Sequence, residues 1–189
     1  SRPRYARQLN SGVRAPHSEV MIEVERFLRV DHAGETGAIQ IYSAQIFMSR
    51  FLYPDIVPVL AEMLEHEKSH LAVFSDLLRK RGIRTCYALG LWSLGGYTLG
   101  PITSLLGRNS IWVCTNAVET TVLQHLQEQL GFLCKIDPEA YSAVYSIKND
   151  EESHQQIGVI NQGNSVFNTP VFALVKYSTA FAIWLSTKM

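Results

Sequence analysis

The sequence predicts an all-α protein, and three observations carry that reading. Apolar residues recur at three- and four-residue steps, as in Val20, Val24, Phe27, Leu28, Ile39, Ile46 and Phe47. Alternating strand patterns are nearly absent. Proline and glycine fall where helices would stop rather than where strands would turn. At 189 residues the chain suits one domain with a substantial core.

Residues 19–50 read as a long first helix, broken at FLYPDIVP (51–58) by Pro54 and Pro58. A second amphipathic helix covers about 58–81 and stops at Gly82, behind a basic last turn of Arg79, Lys80 and Arg81. Residues 108–135 form another, and Asp137-Pro138 turns the chain into a helix over 138–160. NQGN (161–164) is a loop, and a last helix spans about 168–187. Between the two halves lies CYALGLWSLGGYTLGPITSLLG (86–107), 22 residues without a charge. It is long enough for a bilayer, but Gly95, Gly96, Gly100 and Pro101 interrupt it. Two apolar half-helices lying in a membrane interface suit it better than a span or a buried core helix. The last helix, with Phe172, Phe181 and Trp184, could join the same surface.

Seventeen basic residues balance seventeen acidic ones, so no net field attracts nucleic acid. Residues 1–17 hold four Arg and no acid, which suits a basic arm or the remnant of a mitochondrial transit sequence. Residues 18–189 then form a single domain. Cys86, Cys114 and Cys134 lack metal-binding spacing and read as buried free thiols in a reducing compartment.

Chemistry enters with EKSH (67–70) and EESH (151–154). Composition predicts roughly 0.4 Glu-x-x-His by chance, so two alone mean little. However, Glu35 lies 32 residues before Glu67, and Glu119 lies 32 before Glu151. The set repeats with a shift of 84: 35 to 119, 67 to 151 and 70 to 154. The midpoints fall at residues 51 and 135, next to the two turns. Each Glu therefore sits about 24 Å from its bend, at equal height in an antiparallel helix pair. Positions i and i+3 share a helix face, so Glu67 projects with His70 and Glu151 with His154. Two packed hairpins bring four Glu and two His to one level. That ligand set is the one used by ferritin-like di-iron and di-manganese carboxylate bundles.

The residue types suit the task, because carboxylates bridge and neutralise two cations and imidazole binds iron. Around Glu35, Ala33, Gly34, Gly37 and Ala38 point to close helix approach at a cost in helix propensity. Asp31, Asp150 and His32 are candidates to support the ligand histidines, whereas His66 reads as a polar-face neighbour. His17 belongs to the arm.

The chain resembles the demethoxyubiquinone hydroxylases, the di-iron monooxygenases of ubiquinone biosynthesis. The matching stretches are RVDHAGETGA (29–38), EHEKSHL (65–71), LWSLGGYTLGPITSLLG (91–107), CTNAVET (114–120), NDEESHQQIG (149–158) and AIWLSTKM (182–189). The resemblance implies two iron ions held by Glu35, Glu67, His70, Glu119, Glu151 and His154. It places His125 near a quinone pocket. It implies hydroxylation of a polyprenylated demethoxyquinone with dioxygen and two electrons, from NADH or a separate reductase. It also implies a peripheral site on the matrix side of the mitochondrial inner membrane, contacted through 86–107, and a lipid-binding ubiquinone-synthesis protein as partner. The family's usual Tyr after that His is Leu126 here, and Ser153, Gln155, Gln156 and NQGN replace a richer acid and His run. Other functions share the ligands: a ferritin-like iron-oxidising or storage protein, a di-iron quinol oxidase and a non-catalytic quinone-binding scaffold.

Overall fold

The structure, a computed structural model, describes residues 17–188. Its helices are α1 (His17–Leu52), α2 (Val57–Arg81), α3 (Leu89–Leu105), α4 (Arg108–Leu133), α5 (Pro138–Asn161) and α6 (Asn168–Ser186). A 3-10 turn over Pro54–Ile56 joins the first two, and no strand occurs among the described residues. Apart from His17, which opens α1, the expected basic arm lies outside the described residues.

α1 packs on α2 and α4 on α5, so the two expected hairpins form, and together they build a four-helix bundle. One apolar cluster joins all four helices near one end, through Phe27, Phe74, Leu126, Leu133 and Ile147 among others. A second, with Tyr42, Leu60, Met63 and Trp112, fills the other end. The ligand positions lie between these clusters, where rigid packing on both sides fixes their height. The hairpins are also tied by polar contacts. Asp137 caps α5 by accepting from the Ala140 amide at 3.0 Å, while Arg81 at the end of α2 donates to both Asp137 oxygens at 2.5 and 2.9 Å.

The uncharged segment corrects an expectation. It forms one helix, α3, that runs through Gly95, Gly96, Gly100 and Pro101 instead of two half-helices. The glycines are contact points rather than breaks. A Cβ at Gly96 would overlap the Gly37 carbonyl oxygen, and one at Gly100 would lie 2.6 Å from Ala44 Cβ. α3 therefore lies directly on the α1 backbone, and this contact holds it straight despite the lost Pro101 hydrogen bond. α6 packs on α4, and Trp92 Nε1 of α3 donates to Ser186 Oγ of α6 at 2.8 Å. The outer surfaces of α3 and α6 leave Leu94, Tyr97, Leu105, Phe181 and Trp184 more than half exposed. No helix among the described residues is long and apolar enough to cross a membrane. Cys86 and Cys114 are buried free thiols as expected, but Cys134 is exposed because it sits at the frayed end of α4.

Candidate metal centre

Each bundle helix delivers its ligand candidates at the same level: Glu35 from α1, Glu67 and His70 from α2, Glu119 from α4, Glu151 and His154 from α5. All six are at most 5% exposed. They form two overlapping nests, Glu35, Glu67, His70 and Glu151 in one and Glu67, Glu119, Glu151 and His154 in the other, with the facing atoms of each nest within 4.8 Å of one another. Every nest has three carboxylates and one imidazole, and Glu67 and Glu151 belong to both.

The imidazole geometry points inward. His70 Nδ1 lies 3.0 Å from Glu151 Oε1 and 3.6 Å from Glu35 Oε2. His154 Nδ1 lies 3.1 Å from Glu67 Oε1 and 3.6 Å from Glu151 Oε2. Neither Nδ1 is aligned for a hydrogen bond, and Glu67 Oε1 and Glu151 Oε2 also lack one. Four buried polar atoms converging without mutual bonds would be costly unless a cation occupied the space between them.

The titration of these groups tells the same story. Burial pushes the Glu35 and Glu119 carboxyls well above the usual range and raises Glu67. At Glu151 burial is outweighed by His154 and His70, which hold the carboxyl low. Burial would depress His70, yet Glu151 and Glu35 raise it to about 11. His154 rises likewise to about 9. Among the described residues, Glu35, Glu67 and Glu151 form ion pairs with the two histidines alone, and Glu119 forms none. Divalent cations are the natural complement to such a set, and mixed oxygen and nitrogen ligation suits iron or manganese.

The outward nitrogens are held as well. Asp150, which the sequence offers as a candidate for this role beside the commoner surface or capping one, places Oδ2 3.1 Å from His70 Nε2. His66 Nδ1 lies 3.1 Å from His154 Nε2, a role the sequence reading missed by placing His66 on a polar face. The repeat held the signal, because a shift of 84 carries His66 onto Asp150. Such outer contacts fix the tautomer and orientation of a ligand imidazole. Tyr42 was also missed; its hydroxyl donates to Glu119 Oε1 at 2.9 Å.

Asp31 departs from expectation. It supports neither ligand histidine but accepts from Gln129 Nε2 at 2.6 Å, with His125 Nε2 4.0 Å away. The helical register turns it from the metal level toward α4. His32, expected in the same supporting role, leaves its Nδ1 unpartnered.

Beside the nests lies a cavity of about 260 Å³ between α1, α3, α4 and α6. Glu35, Glu67, Glu119 and Glu151 end it on one side, while Trp92, Leu99, Phe181 and Ile183 give it apolar walls. Asp31 and His125 also line it. Because Leu91 and Phe181 line the cavity and are about half exposed, it reaches the apolar surface of α3 and α6. The Gly34 reading also changes. A Cβ there would meet nothing within 4 Å, so this glycine gives room to the cavity, while Gly37 lets Trp92 approach.

Comparison with known proteins agrees with this geometry. The family described as ubiquinone biosynthesis protein COQ7 matches residues 22–186. A Dictyostelium discoideum protein named NADPH-dependent 3-demethoxyubiquinone 3-hydroxylase, mitochondrial, is 34% identical over 170 residues, covering 88% of this chain and 77% of its own. The Homo sapiens protein of the same name is 33% identical over 174 residues, covering 88% and 78%. A Rhodospirillum rubrum 3-demethoxyubiquinol 3-hydroxylase is 33% identical over 167 residues, again covering 88% and 78%. On this breadth of similarity, the chain belongs to the COQ7 family of ubiquinone biosynthesis proteins.

Proposed function

We propose that this chain is the monooxygenase that hydroxylates the ring of a demethoxyubiquinone precursor, using two iron ions held by Glu35, Glu67, His70, Glu119, Glu151 and His154. The observation that carries the proposal is the apolar cavity ending on four buried carboxylates. Iron held by these residues would supply dioxygen activation at that end.

The chain itself does the rest. Glu35, Glu67, His70, Glu119, Glu151 and His154 would hold the ions, with Glu67 and Glu151 common to both nests. Asp150 and His66 hold the ligand imidazoles from outside. Trp92, Leu99 and Ile183 exclude water and present the ring to the carboxylate end, with His125 on the same wall. The isoprenoid tail leaves toward the exposed apolar surface of α3 and α6. That surface, where Leu94, Tyr97, Leu105, Phe181 and Trp184 are more than half exposed, would rest on a lipid bilayer, which makes the protein peripheral.

By analogy with the names of its relatives, the reductant is a reduced nicotinamide, acting directly or through a separate reductase, and the compartment is mitochondrial. The matrix side of the inner membrane and a lipid-binding partner complete the proposal. Iron storage would need no apolar cavity, a non-catalytic scaffold would need no buried carboxylates, and neither appears among the relatives' names.

The deciding experiment reconstitutes iron anaerobically, adds a short-tailed demethoxyquinone and a reductant, and follows labelled dioxygen by mass spectrometry. One labelled oxygen should enter the ring. Iron binding and oxygen consumption without label in the ring would replace the hydroxylase by a quinol oxidase.

A further inference from the structure

The carboxylates explain one end of the cavity, but the wall formed by α1 and α4 carries polar groups that the metal centre does not use. Asp31 is 6% exposed and Gln129 fully buried. Gln129 Nε2 donates to Asp31 Oδ1 at 2.6 Å, which occupies one carboxylate oxygen. The other, Asp31 Oδ2, has no hydrogen-bond partner, and neither does His125 Nε2. The imidazole cannot relieve the carboxylate, because 4.0 Å separates His125 Nε2 from Asp31 Oδ1. Its ring is held in place by the edge-on contact with Phe27, 6.1 Å between centroids at 84°.

Burial without compensation leaves marks on both groups. The Asp31 carboxyl is pushed up to about 7 by burial, against the lowering effect of Gln129. The His125 imidazole is depressed to about 4 by burial, so it stays neutral. An unpaired buried acceptor beside an unpaired neutral imidazole is costly unless a ligand meets them. Both residues line the cavity that receives the ring.

We infer that Asp31, positioned by Gln129, accepts a hydrogen bond from a ring hydroxyl of the substrate in its reduced, hydroquinone form. The inference rests on the substrate reading above and deepens it. A hydroquinone oxygen offers a proton to Asp31 Oδ2 and a lone pair to the Nε2–H of a neutral His125 tautomer, which satisfies both atoms at once. A quinone carbonyl only accepts, and above about pH 7, where Asp31 is ionised, it would face the carboxylate with two like dipoles. The wall therefore reads the redox state of the ring as well as its position, and it leaves the opposite edge of the ring to the carboxylate end.

The test uses iron-loaded protein without dioxygen and reads quenching of Trp92, which lines the cavity, by a short-tailed demethoxyhydroquinone and by its oxidised quinone. Asp31→Asn keeps the oxygen that Gln129 donates to but turns the free acceptor into a donor. It should weaken hydroquinone binding about ten- to hundredfold, the scale of one charge-assisted hydrogen bond, and leave quinone binding within about threefold. Gln129→Met, similar in volume, should weaken hydroquinone binding by about threefold or more with the metal content unchanged, an effect that mere loss of packing would not confine to one redox form. Equal hydroquinone affinity in Asp31→Asn and wild type would overturn the inference. So would a loss that falls on the quinone instead. Gly34→Leu, which fills the cavity one helical turn from Asp31, should abolish binding of both forms. If it binds both as wild type does, the cavity is not the ring site and the substrate reading fails with it.

Discussion

The two hairpins of the bundle are built on one plan, yet they treat the metal level differently. α1–α2 and α4–α5 supply the same ligands at positions 84 apart, and all six are buried together. Around them the equivalence breaks. Asp150 holds His70 from one side, while its counterpart His66 holds His154 from the other. Tyr42 donates to Glu119, but the position equivalent to Tyr42 is Leu126, so no phenol reaches Glu35 from there. Buried Asp31 has Thr115 as its counterpart. The repeat is strict at the six residues that converge and relaxed in the residues around them. That difference gives Glu119 a phenol partner that Glu35 lacks, although both carboxylates line the same cavity.

The comparison can be broken most severely at a shared carboxylate. Glu151→Ala removes a ligand from both nests, and elemental analysis should find almost no iron and assays almost no turnover. Glu119→Ala removes a ligand from one nest only; turnover should be lost while part of the iron remains. Equal iron loss in the two variants would show that Glu151 is not shared.

The next effect concerns the buried acid found in one half only. The folded-state pKa of Asp31, about 7, lies above its ordinary 3.8. The folded protein therefore keeps a proton that the unfolded chain releases, and stability falls as pH rises from about 4 to about 7. Asp31→Asn removes that loss. Its stability advantage over wild type should grow across that window and level off above it, reaching up to about 4 kcal/mol in ligand-free protein. Denaturation curves at pH 5 and pH 8 measure it, and a pH-independent gap would contradict the buried, unpaired carboxylate.

Smaller changes sharpen the contrast between the outer contacts. Asp150→Asn should weaken metal binding at the His70 side by about ten- to hundredfold. His66→Gln should cost less at the His154 side, because an imidazole supports its neighbour less strongly than a carboxylate does. Anaerobic metal titrations of the two variants separate the sites, and identical losses would make the halves equivalent after all. The smallest change is Tyr42→Phe. It takes one hydrogen bond from Glu119 and should destabilise the protein by about 1 kcal/mol, read by chemical denaturation. The same substitution should leave the Glu35 side of the metal titration unmoved.

Much of the fold was legible because its signals are local. Apolar periodicity, the Pro54 and Pro58 break, Gly82 and Asp137-Pro138 mark helix ends through the backbone chemistry of a few residues. The ligand set was legible for a different reason: a repeat converts equal spacing from two turns into equal height. The support around it was read less well. Asp150 stood out as an acid beside a ligand, but His66 needed the repeat to be carried past the ligands themselves. Asp31 was assigned to the wrong neighbour, since helical spacing gives a face and not the residue across from it.

By itself, the sequence determined the helices, their pairing into two hairpins and the six residues that meet at one level. Each follows from periodicity and spacing along a single chain. Only the tertiary structure decided that α3 stays whole, that Gly34 opens a cavity while Gly96 and Gly100 close a contact, and that Asp31 faces Gln129 and His125. Those outcomes depend on which surface lies opposite, and steric contact between distant segments exists only once the helices have packed.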